Sequence, residues 1–397
     1  MPVNARLERL ADNPFARLRA LLDEAPPRTN LEPVLMSVGE PQHEPPAMVA
    51  RIIAESASLW NRYPPMAGTA AYRAACARWL TRRFHLPAGM ITPERHVLSL
   101  NGTKEGLFLV ASLAVPEEQD GVRPAVLLPN PYYLVYNGAA ALAGAEIVYL
   151  DATRETGFLP DRAAIPEALL ARTALMYLCS PANPQGAVAD LAYLKTAITL
   201  ARRHDFVLAV DECYCEIYDR APPPGALEAC AALGGDLAQV LVFHSLSKRS
   251  SAAGLRCGFV AGDPRLIALF DRLRGYGGSQ VALPIQAAAT ALWGDETHVE
   301  ENRARYRRKF DVAAEVLGER FGFYRPAGGF FLWLDVGDGE AAARRLWREA
   351  ALRTLPGGYI ARRNGGGDNP GQRYIRVALV HDDATIAAGL ERMLNVL

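Results

Sequence analysis

The sequence carries no excess of charge of either sign, because its 43 lysine and arginine residues are balanced by 43 aspartate and glutamate residues. This balance gives no support for binding to nucleic acid or to an anionic membrane surface. No apolar run approaches the roughly 18 residues of a membrane-spanning helix. The first residues, MPVNARLERL, are charged and lack the apolar region of a signal peptide. We therefore expect a cytoplasmic protein.

Patterns typical of metal centres are also missing. The six cysteines form no C-x-x-C pair, and the seven histidines form no H-E-x-x-H pattern. Cys213 and Cys215 alternate along one segment, but two thiols alone are a weak basis for a zinc site. We expect no metal, and we expect reduced cysteines, as in the cytosol.

What the sequence does contain is a long alternation of apolar runs and helical patterns. Half of its 397 residues are hydrophobic, which is typical of a soluble globular protein of roughly two or three domains. Short apolar runs separated by helices predict an α/β fold with a mostly parallel sheet covered on both faces. The predicted strands are 96–100, 125–128, 146–150, 174–179, 207–210, 240–244 and 257–261.

The pattern changes towards both ends of the chain. The predicted helices include 5–24, 46–59, 70–84, 161–171, 264–274, 284–318 with a break near Gly294, 339–352 and 382–396. A strand is predicted at 374–377, a hairpin at 321–336 with Ala327-Gly328-Gly329 at its turn, and a flexible loop at 364–372. This organisation predicts a large domain at 45–290, and a smaller α+β domain formed by 1–44 and 291–397.

The stretch 241–262, LVFHSLSKRSSAAGLRCGFVAG, places a lysine, two serines and an arginine between two apolar runs. Small residues around Lys248 let another group approach, and burial would make this amine a nucleophile towards a carbonyl. Ser245, Ser247 and Arg256 are suited to hold a phosphate. A Schiff-base lysine beside a phosphate site indicates pyridoxal phosphate. The alternative is a solvated surface turn with a basic residue.

Polar residues also follow other predicted strands. The segment Gly102-Thr103-Lys104 opens a helix whose free N–H groups suit an anion, although a plain helix cap explains Thr103 almost as well. Tyr133 is placed to stack on a planar cofactor, or is a core tyrosine. These residues and the lysine stretch share a predicted position at the carboxyl ends of strands, where parallel sheets bind ligands.

Asp211, Asn183, Tyr214 and Arg376 complete this set. A carboxylate after a buried strand must be partnered or face a cleft, so Asp211 either caps a helix or keeps a pyridinium nitrogen protonated. Asn183 and Tyr214 are suited to hydrogen-bond a phenolate oxygen, although Asn183 also fits a turn. Arg376, on an apolar strand, is suited to bind a carboxylate or to form a structural ion pair.

In combination, these segments resemble the class I and II aminotransferases, which are pyridoxal phosphate enzymes of fold type I. The segments in chain order are Gly39, YPPMAG from Tyr63, NGTKEG, PYYLVY, SPANPQG, DECY, SLSKRSSAAGLR and YIRVALV, and they span residues 37–380. The resemblance implies a large domain with a seven-stranded, mostly parallel sheet and a smaller α+β domain. It also implies a homodimer, in which Tyr63 of the neighbouring subunit reaches the cofactor phosphate.

The resemblance further implies a role for each site residue. Lys248 forms the Schiff base and moves the proton, while Asp211 pairs with the pyridine nitrogen. Asn183 and Tyr214 bind the O3′ oxygen, and Tyr133 stacks on the ring. The residues implied to bind the phosphate are Gly102, Thr103, Lys104, Ser245, Ser247 and Arg256. The residues implied to contact substrate are Gly39, Asn183 and Arg376.

Within the family, several stretches are most similar to bacterial N-succinyldiaminopimelate aminotransferases of lysine biosynthesis. They include LWNRYPPMAGTAAYRAA, GGSQVALPIQAAATALWGDETHV and NPGQRYIRVALV. This similarity implies ping-pong amino transfer between glutamate and N-succinyl-2-amino-6-oxopimelate. No spacing identifies the residues that bind the succinyl group; Arg28, Arg325 and Arg363 are only basic residues near predicted pocket loops. The alternatives are an aminotransferase for aspartate, alanine or aromatic amino acids, a C–S lyase of the same fold, and a non-enzymatic cofactor-binding regulator.

Overall fold

The computed structural model describes residues 3–10, 12–364 and 367–397. Its strands are β1 Val34–Leu35, β2 Val97–Leu100, β3 Ala125–Asn130, β4 Glu146–Asp151, β5 Thr173–Cys179, β6 Val207–Asp211, β7 Val240–Ser245, β8 Gly258–Gly262, β9 Phe331–Asp335, β10 Leu352–Arg353, β11 Leu355–Pro356 and β12 Tyr374–Ala378. Its helices are α1 Pro14–Asp23, α2 Met48–Glu55, α3 Ala70–Arg83, α4 Pro93–His96, α5 Thr103–Ala114, α6 Leu134–Ala143, α7 Glu167–Leu170, α8 Leu191–Arg203, α9 Ala226–Ala232, α10 Leu246–Arg249, α11 Pro264–Gly277, α12 Leu283–Gly294, α13 Thr297–Leu317, α14 Gly339–Ala350 and α15 Asp383–Val396. Position 11 of the predicted first helix and positions 365 and 366 of the predicted loop lie outside the described residues.

The largest sheet has seven strands in the order β2-β8-β7-β6-β5-β3-β4. β8 runs antiparallel to both of its neighbours, and the pairs among β3 to β7 are parallel. The predicted α/β fold with a mostly parallel sheet is therefore confirmed. Because parallel strands must be covered on both faces, their sequences are continuous apolar runs rather than alternating ones.

Successive side chains of each strand enter two different cores. Leu208 and Val210 pack in a core with residues of α3, α8 and α12. Val207 and Ala209 pack in a second core with residues of α5, α6 and α11. This alternation follows from the two-residue period of a strand. Because helices cover both faces of the sheet, the carboxyl ends of its strands are where a ligand can reach it.

The last part of the chain forms a separate three-stranded antiparallel sheet in the order β11-β12-β9, and β1 pairs with β10. A third core joins this sheet to α13, α14 and α15, and it includes Val34 and Met36 from near the start of the chain. α1 packs on the same region, since Leu18 and Leu22 share a cluster with Trp333. On this basis we propose the two domains at the boundaries predicted above.

The predicted hairpin at 321–336 is wrong. β9 is its single strand and pairs with β12, and Arg320–Gly322 is a 3₁₀ helix. Gly328 donates its N–H to the carbonyl of Gly186 at 3.1 Å, and a Cβ at Gly328 would lie 2.5 Å from Pro181 Cγ. The glycine therefore permits a close backbone approach and does not form a hairpin turn.

The helices predicted at 5–24 and 161–171 are shorter than expected, and one predicted break is confirmed. The first helix is interrupted because Asn13 caps α1, its side chain accepting the N–H of Phe15 at 2.9 Å. The helix predicted at 161–171 is reduced to α7, which follows Pro166 at its N-cap. The predicted break near Gly294 is present, because α12 ends there.

No helix in the described ranges is long and apolar enough to cross a membrane. Nor do the described residues contain a group of three or more histidine, cysteine, aspartate or glutamate side chains that could hold a metal ion.

Candidate active site

A cavity of about 450 Å³ lies at the carboxyl edge of the large sheet. Most of the predicted site residues line it. They are Gly39, Thr103, Lys104, Tyr133, Asn183, Asp211, Tyr214, Ser245, Ser247, Lys248, Arg256 and Arg376. Residues separated by more than 300 positions in the sequence thus meet in one place, as the strand-end argument predicts.

Lys248 lies on α10, the short helix that directly follows β7. Its Nζ donates a hydrogen bond to the carbonyl of Gly39 at 2.5 Å and lies 5.2 Å from the ring centre of Phe330. Burial lowers the pKa of Lys248 to about 8 by disfavouring the charged form; the nearby Cys213 thiol opposes this shift and Arg376 adds to it. The amine is therefore partly neutral near physiological pH, as a nucleophile or general base must be.

Asp211 ends β6 and is held at both carboxylate oxygens. The hydroxyl of Tyr136 donates to Oδ2 at 2.6 Å, and the backbone N–H of Cys213 donates to Oδ1 at 3.1 Å. Asp211 is only 6% exposed. Such a fixed carboxylate in a cavity wall is suited to pair with a protonated ring nitrogen.

Hydroxyls, a guanidinium and a helix N-terminus gather at another part of the cavity. The Oγ of Ser245 contacts the Oγ of Ser247 at 3.0 Å. Gly102, which precedes α5, has no side chain to cap the helix, so the N–H groups of Thr103 and Lys104 are available to an anion. Gly102 has a φ of +78° and lies against Arg256, with only 2.9 Å between an ideal Cβ and the arginine Cζ. A side chain at position 102 would displace Arg256 from this cluster.

Arg376 projects from β12 into the cavity. Its Nη1 donates to Asn183 Oδ1 at 3.1 Å, and its Nη2 donates to the Ser37 carbonyl at 2.8 Å. Burial lowers its pKa to about 10, while the Tyr214 hydroxyl opposes the shift. Its Nε is buried and makes no hydrogen bond among the described residues. The alternative of a structural ion pair is not supported, since the Asn183 amide and the Ser37 carbonyl are both neutral.

Two tyrosines and a glycine complete the predicted set. Tyr133 immediately precedes α6, its ring lies 5.6 Å from that of Tyr136, and burial raises its pKa to about 12. Tyr214 packs edge-on against Phe330 at 5.3 Å. Gly39 leaves no room for a side chain, because a Cβ would lie 2.8 Å from Phe331 Cε1.

Several predicted residues are not in the cavity wall. Tyr63 is 99% exposed and does not line the cavity of its own chain. Gly102 lies behind Arg256 rather than on the wall. Arg28, Arg325 and Arg363 do not line it either. Arg325 instead pairs with Asp219 and Asp311 at 2.8 and 2.6 Å.

The sequence reasoning missed other residues of the wall. Tyr136 was detectable in principle, because it lies one helical turn after Tyr133 in PYYLVY. Cys213, two residues after Asp211, has its Sγ 3.1 Å from the Thr103 hydroxyl. The apolar Pro14, Phe15 and Ile360 line the cavity from segments outside the large sheet, and no local sequence signal indicates this.

The residues of the cavity fit pyridoxal phosphate. A lysine with a lowered pKa suits its aldehyde, a fixed buried carboxylate suits its ring nitrogen, and the hydroxyls with Arg256 and the free end of α5 suit its phosphate. A large mostly parallel sheet with this donor set at its carboxyl edge defines a pyridoxal phosphate enzyme of fold type I.

Comparison with known proteins identifies the family. The family described as "Aminotransferase class I and II" matches residues 32–393. An LL-diaminopimelate aminotransferase of Moorella thermoacetica is 31% identical over 99% of this chain and 97% of its own length. The transaminase OxyQ of Streptomyces rimosus, named for 4-dedimethylamino-4-oxo-anhydrotetracycline, is 33% identical over 91% of this chain and 92% of its own. The chain therefore belongs to the class I and II aminotransferases, whose cofactor is pyridoxal phosphate.

Solved structures agree with this assignment. The crystal structure of an aminotransferase from Neisseria meningitidis is 38% identical, covers 99% of both chains and superimposes with a TM-score of 0.94. A probable N-succinyldiaminopimelate aminotransferase of Thermus thermophilus covers 97% of this chain and all of its own, with a TM-score of 0.84. At 24% identity the latter supports the fold alone. The predicted family, fold and cofactor are confirmed.

Proposed function

We propose that the protein transfers an amino group from glutamate to N-succinyl-2-amino-6-oxopimelate, a step of diaminopimelate and lysine biosynthesis. The observation that carries the proposal of amino transfer is the buried Lys248 amine, which shares one cavity with the Arg376 guanidinium and the Asp211 carboxylate. The acceptor is argued from the motif similarity and from relatives named for diaminopimelate.

The proposed roles follow from what each side chain offers. Bound pyridoxal phosphate supplies an electron sink for the pair released when the Cα–H bond of the amino acid breaks. Lys248 Nζ takes the proton from Cα and later returns one, because its amine is partly neutral near pH 8. Arg376 binds the α-carboxylate and orients the Cα–H bond towards Lys248. Asp211, held by Tyr136, keeps the ring nitrogen protonated.

The remaining roles concern binding. We assign the phosphate to Ser245, Ser247, Thr103, Lys104 and Arg256, with Gly102 leaving room for Arg256. We assign the O3′ oxygen to Asn183 and Tyr214, the ring face to Tyr133, and the substrate pocket to Gly39 and Asn183.

The acceptor proposal rests on the apolar part of the wall as well. Phe15, Pro14 and Ile360 line the cavity with Val38. Their surfaces suit the methylene chain of a keto-pimelate with an acyl arm, whose burial is favourable by about 0.8 kcal/mol per methylene.

We also propose a homodimer. Tyr63 is almost fully exposed in one chain, as is Tyr276 at 90%. Large aromatic side chains in that state are common at protein interfaces. In the proposed dimer, Tyr63 of one protomer completes the phosphate site of its partner.

A second candidate acceptor is the unacylated keto acid that corresponds to LL-diaminopimelate. It is favoured by the relative from Moorella thermoacetica, which matches almost the whole chain. Aspartate, alanine and aromatic substrates and a C–S lyase activity remain as outcomes of the same test.

The test is a panel of half-reactions with purified holoenzyme. Glutamate should convert the enzyme to its amino form, seen as loss of the visible absorption band. The succinylated keto-pimelate should restore the band with a kcat/KM at least about tenfold above the unacylated acid, oxaloacetate, pyruvate and aromatic keto acids. Preference for another acceptor would overturn the substrate proposal. Release of pyruvate and ammonia from cystathionine without an acceptor would favour a lyase.

A further inference from the structure

Ser250, His298 and Asp295 form a hydrogen-bonded chain beside the lysine turn. The Oγ of Ser250 lies 2.8 Å from His298 Nε2, and His298 Nδ1 lies 2.5 Å from Asp295 Oδ2. The order of groups is that of a serine hydrolase triad. The function proposed above does not use these residues.

The serine of this chain is not presented to a ligand. Ser250 is 1% exposed and does not line the cavity at the sheet edge. Its Oγ also accepts a hydrogen bond from Arg249 Nη1 at 3.4 Å. A hydrolytic nucleophile needs access to substrate, so these three side chains are not a hydrolytic site. Their role must lie in the contacts they make within the protein.

What they contact is the backbone that carries Lys248. The Ser250 N–H donates to the carbonyl of Leu246 at 3.0 Å and so closes the single turn of α10. From α13, Asn302 Nδ2 donates to the carbonyls of Lys248 and Arg249 at 3.0 and 3.2 Å. A helix of four residues has little stability of its own, so its position depends on such contacts.

Arg249 ties the same turn to the end of α12. Its Nη1 donates to the Leu292 carbonyl at 2.7 Å, and its Nη2 lies 2.9 Å from Glu296 Oε1. The lysine turn is therefore anchored from its far side by α12, α13 and the segment between them, while Lys248 faces the cavity.

We propose that four residues are positioning residues for Lys248, namely Ser250, Asp295, His298 and Asn302. They hold the helical turn of Lys248 in the position from which its amine reaches the reacting carbon. The proposal rests on the proposed role of Lys248 and not on the identity of the keto acid acceptor. Displacement of a catalytic group by about 1 Å costs on the order of a hundredfold in rate, so an anchor of this kind has a kinetic consequence.

The anchor requires a neutral histidine. His298 faces Arg249, Asp295 and Glu296, and Glu296 is shared with Arg82 of α3 at 2.8 Å. Burial lowers the pKa of His298 below its ordinary 6.5; the hydrogen bond that His298 donates to Asp295 opposes this shift and the charge of Arg249 adds to it. Protonation would place a second cation 3.5 Å from Arg249 Nη1. The stabilisation is thus present above pH 6.5 and is lost as the pH falls through the lowered pKa.

The experiment compares His298→Ala and His298→Gln holoenzymes in the glutamate half-reaction from pH 5 to 9. His298→Ala should lower kcat about tenfold to a hundredfold with little change in KM for glutamate. It should also shift the pH midpoint of the visible absorption band, which reports ionisation at Lys248. His298→Gln, neutral and able to hydrogen-bond, should restore kcat and remove the loss that protonation of His298 adds below pH 6.5, while the titration of Lys248 stays. His85→Gln, at an exposed histidine, is the control and should match wild type.

A lowered melting temperature with unchanged kcat and unchanged absorption midpoint would overturn the proposal, since the residues would then be merely structural. If His298→Ala does not fold, Ser250→Ala is measured in its place. The same changes in kcat and in the absorption midpoint are expected for it, and their absence would overturn the proposal. A failure of the succinylated acceptor leaves this test untouched because it uses glutamate alone. Loss of the role of Lys248 would show separately as a Lys248→Ala enzyme that still turns over.

Discussion

The cavity has two walls of different origin. The sheet wall, formed at the carboxyl ends of β5, β6 and β7, carries Asp211 and Lys248. The outer wall is formed by α1, by the loop that follows β1, and by strand β12. It carries Phe15, Gly39 and Arg376. The sheet wall belongs to one parallel sheet, in which Asp211 lies opposite Phe243, whereas the outer wall is assembled from separate segments that meet through contacts such as the hydrogen bond from Arg376 to the Ser37 carbonyl. The difference suggests that the chemistry belongs to the sheet wall and the choice of substrate to the outer wall.

The largest expected effect is at the centre of the sheet wall. Lys248→Ala should lower kcat for glutamate by about 10³-fold or more, because it removes the general base and the Schiff-base amine. Lys195→Ala, on α8 and away from the cavity, is the matched control. Single-turnover absorbance measures both. Turnover of Lys248→Ala at the wild-type rate would abolish the distinction between the walls.

Arg376 gives the largest expected effect in the outer wall. Arg376→Gln should raise the KM for glutamate about tenfold to a hundredfold, since a hydrogen bond to a charged group contributes about 1.5–3 kcal/mol. The effect on kcat should be smaller. Arg373→Gln, next to β12 with a side chain 65% exposed, should behave as wild type. A loss confined to kcat would mean that Arg376 acts in the chemical step and does not bind the substrate carboxylate.

Tyr136 tests how far the sheet wall extends beyond the predicted residues. Tyr136→Phe removes the 2.6 Å hydrogen bond to Asp211 and should lower kcat about tenfold, with little change in the KM for glutamate. Steady-state kinetics at saturating cofactor separates the two constants. Tyr193→Phe, which loses a 2.8 Å bond to the Pro160 carbonyl outside the cavity, is the control. Equal effects of both changes would reduce Tyr136 to a core residue.

Phe15 gives the smallest expected effect and the most selective one. Phe15→Ala should lower kcat/KM for the succinylated acceptor about fivefold, close to the roughly 0.8 kcal/mol of one buried methylene group. The glutamate half-reaction, measured on the same enzyme, should stay within about twofold and serves as the internal control. An equal loss in both half-reactions would mean that the outer wall does not select the acceptor.

The sheet wall could be predicted from the sequence because its residues stand directly after buried strands. Asp211 and Ser245 follow continuous apolar runs, and parallel strands bring such positions to one edge. The pyridoxal phosphate site follows from the type of side chain at each strand end. The hydrogen bond from Tyr136 to Asp211 could not be predicted, because the two residues are 75 positions apart, although the position of Tyr136 one helical turn after Tyr133 points to the same wall.

The outer wall could not be predicted in the same way, since its contacts are long-range. Arg376 reaches the cavity only because β12 pairs with β9, where a hairpin was predicted instead. Gly328 is a residue type typical of turns, but here the lack of a side chain lets the backbone at this position pack closely against Pro181. Phe15 enters through the packing of α1 on the C-terminal region, which its own helical pattern does not specify.

The most direct test of the central claim is to locate the cofactor on the chain. Sodium borohydride fixes a Schiff base as a stable amine, and peptide mass mapping then identifies the modified lysine. The sequence offers four lysines, namely Lys104, Lys195, Lys248 and Lys309. The structure predicts modification of Lys248, whose buried amine faces the cavity. Stoichiometric modification of another lysine, or none in active enzyme, would contradict the account.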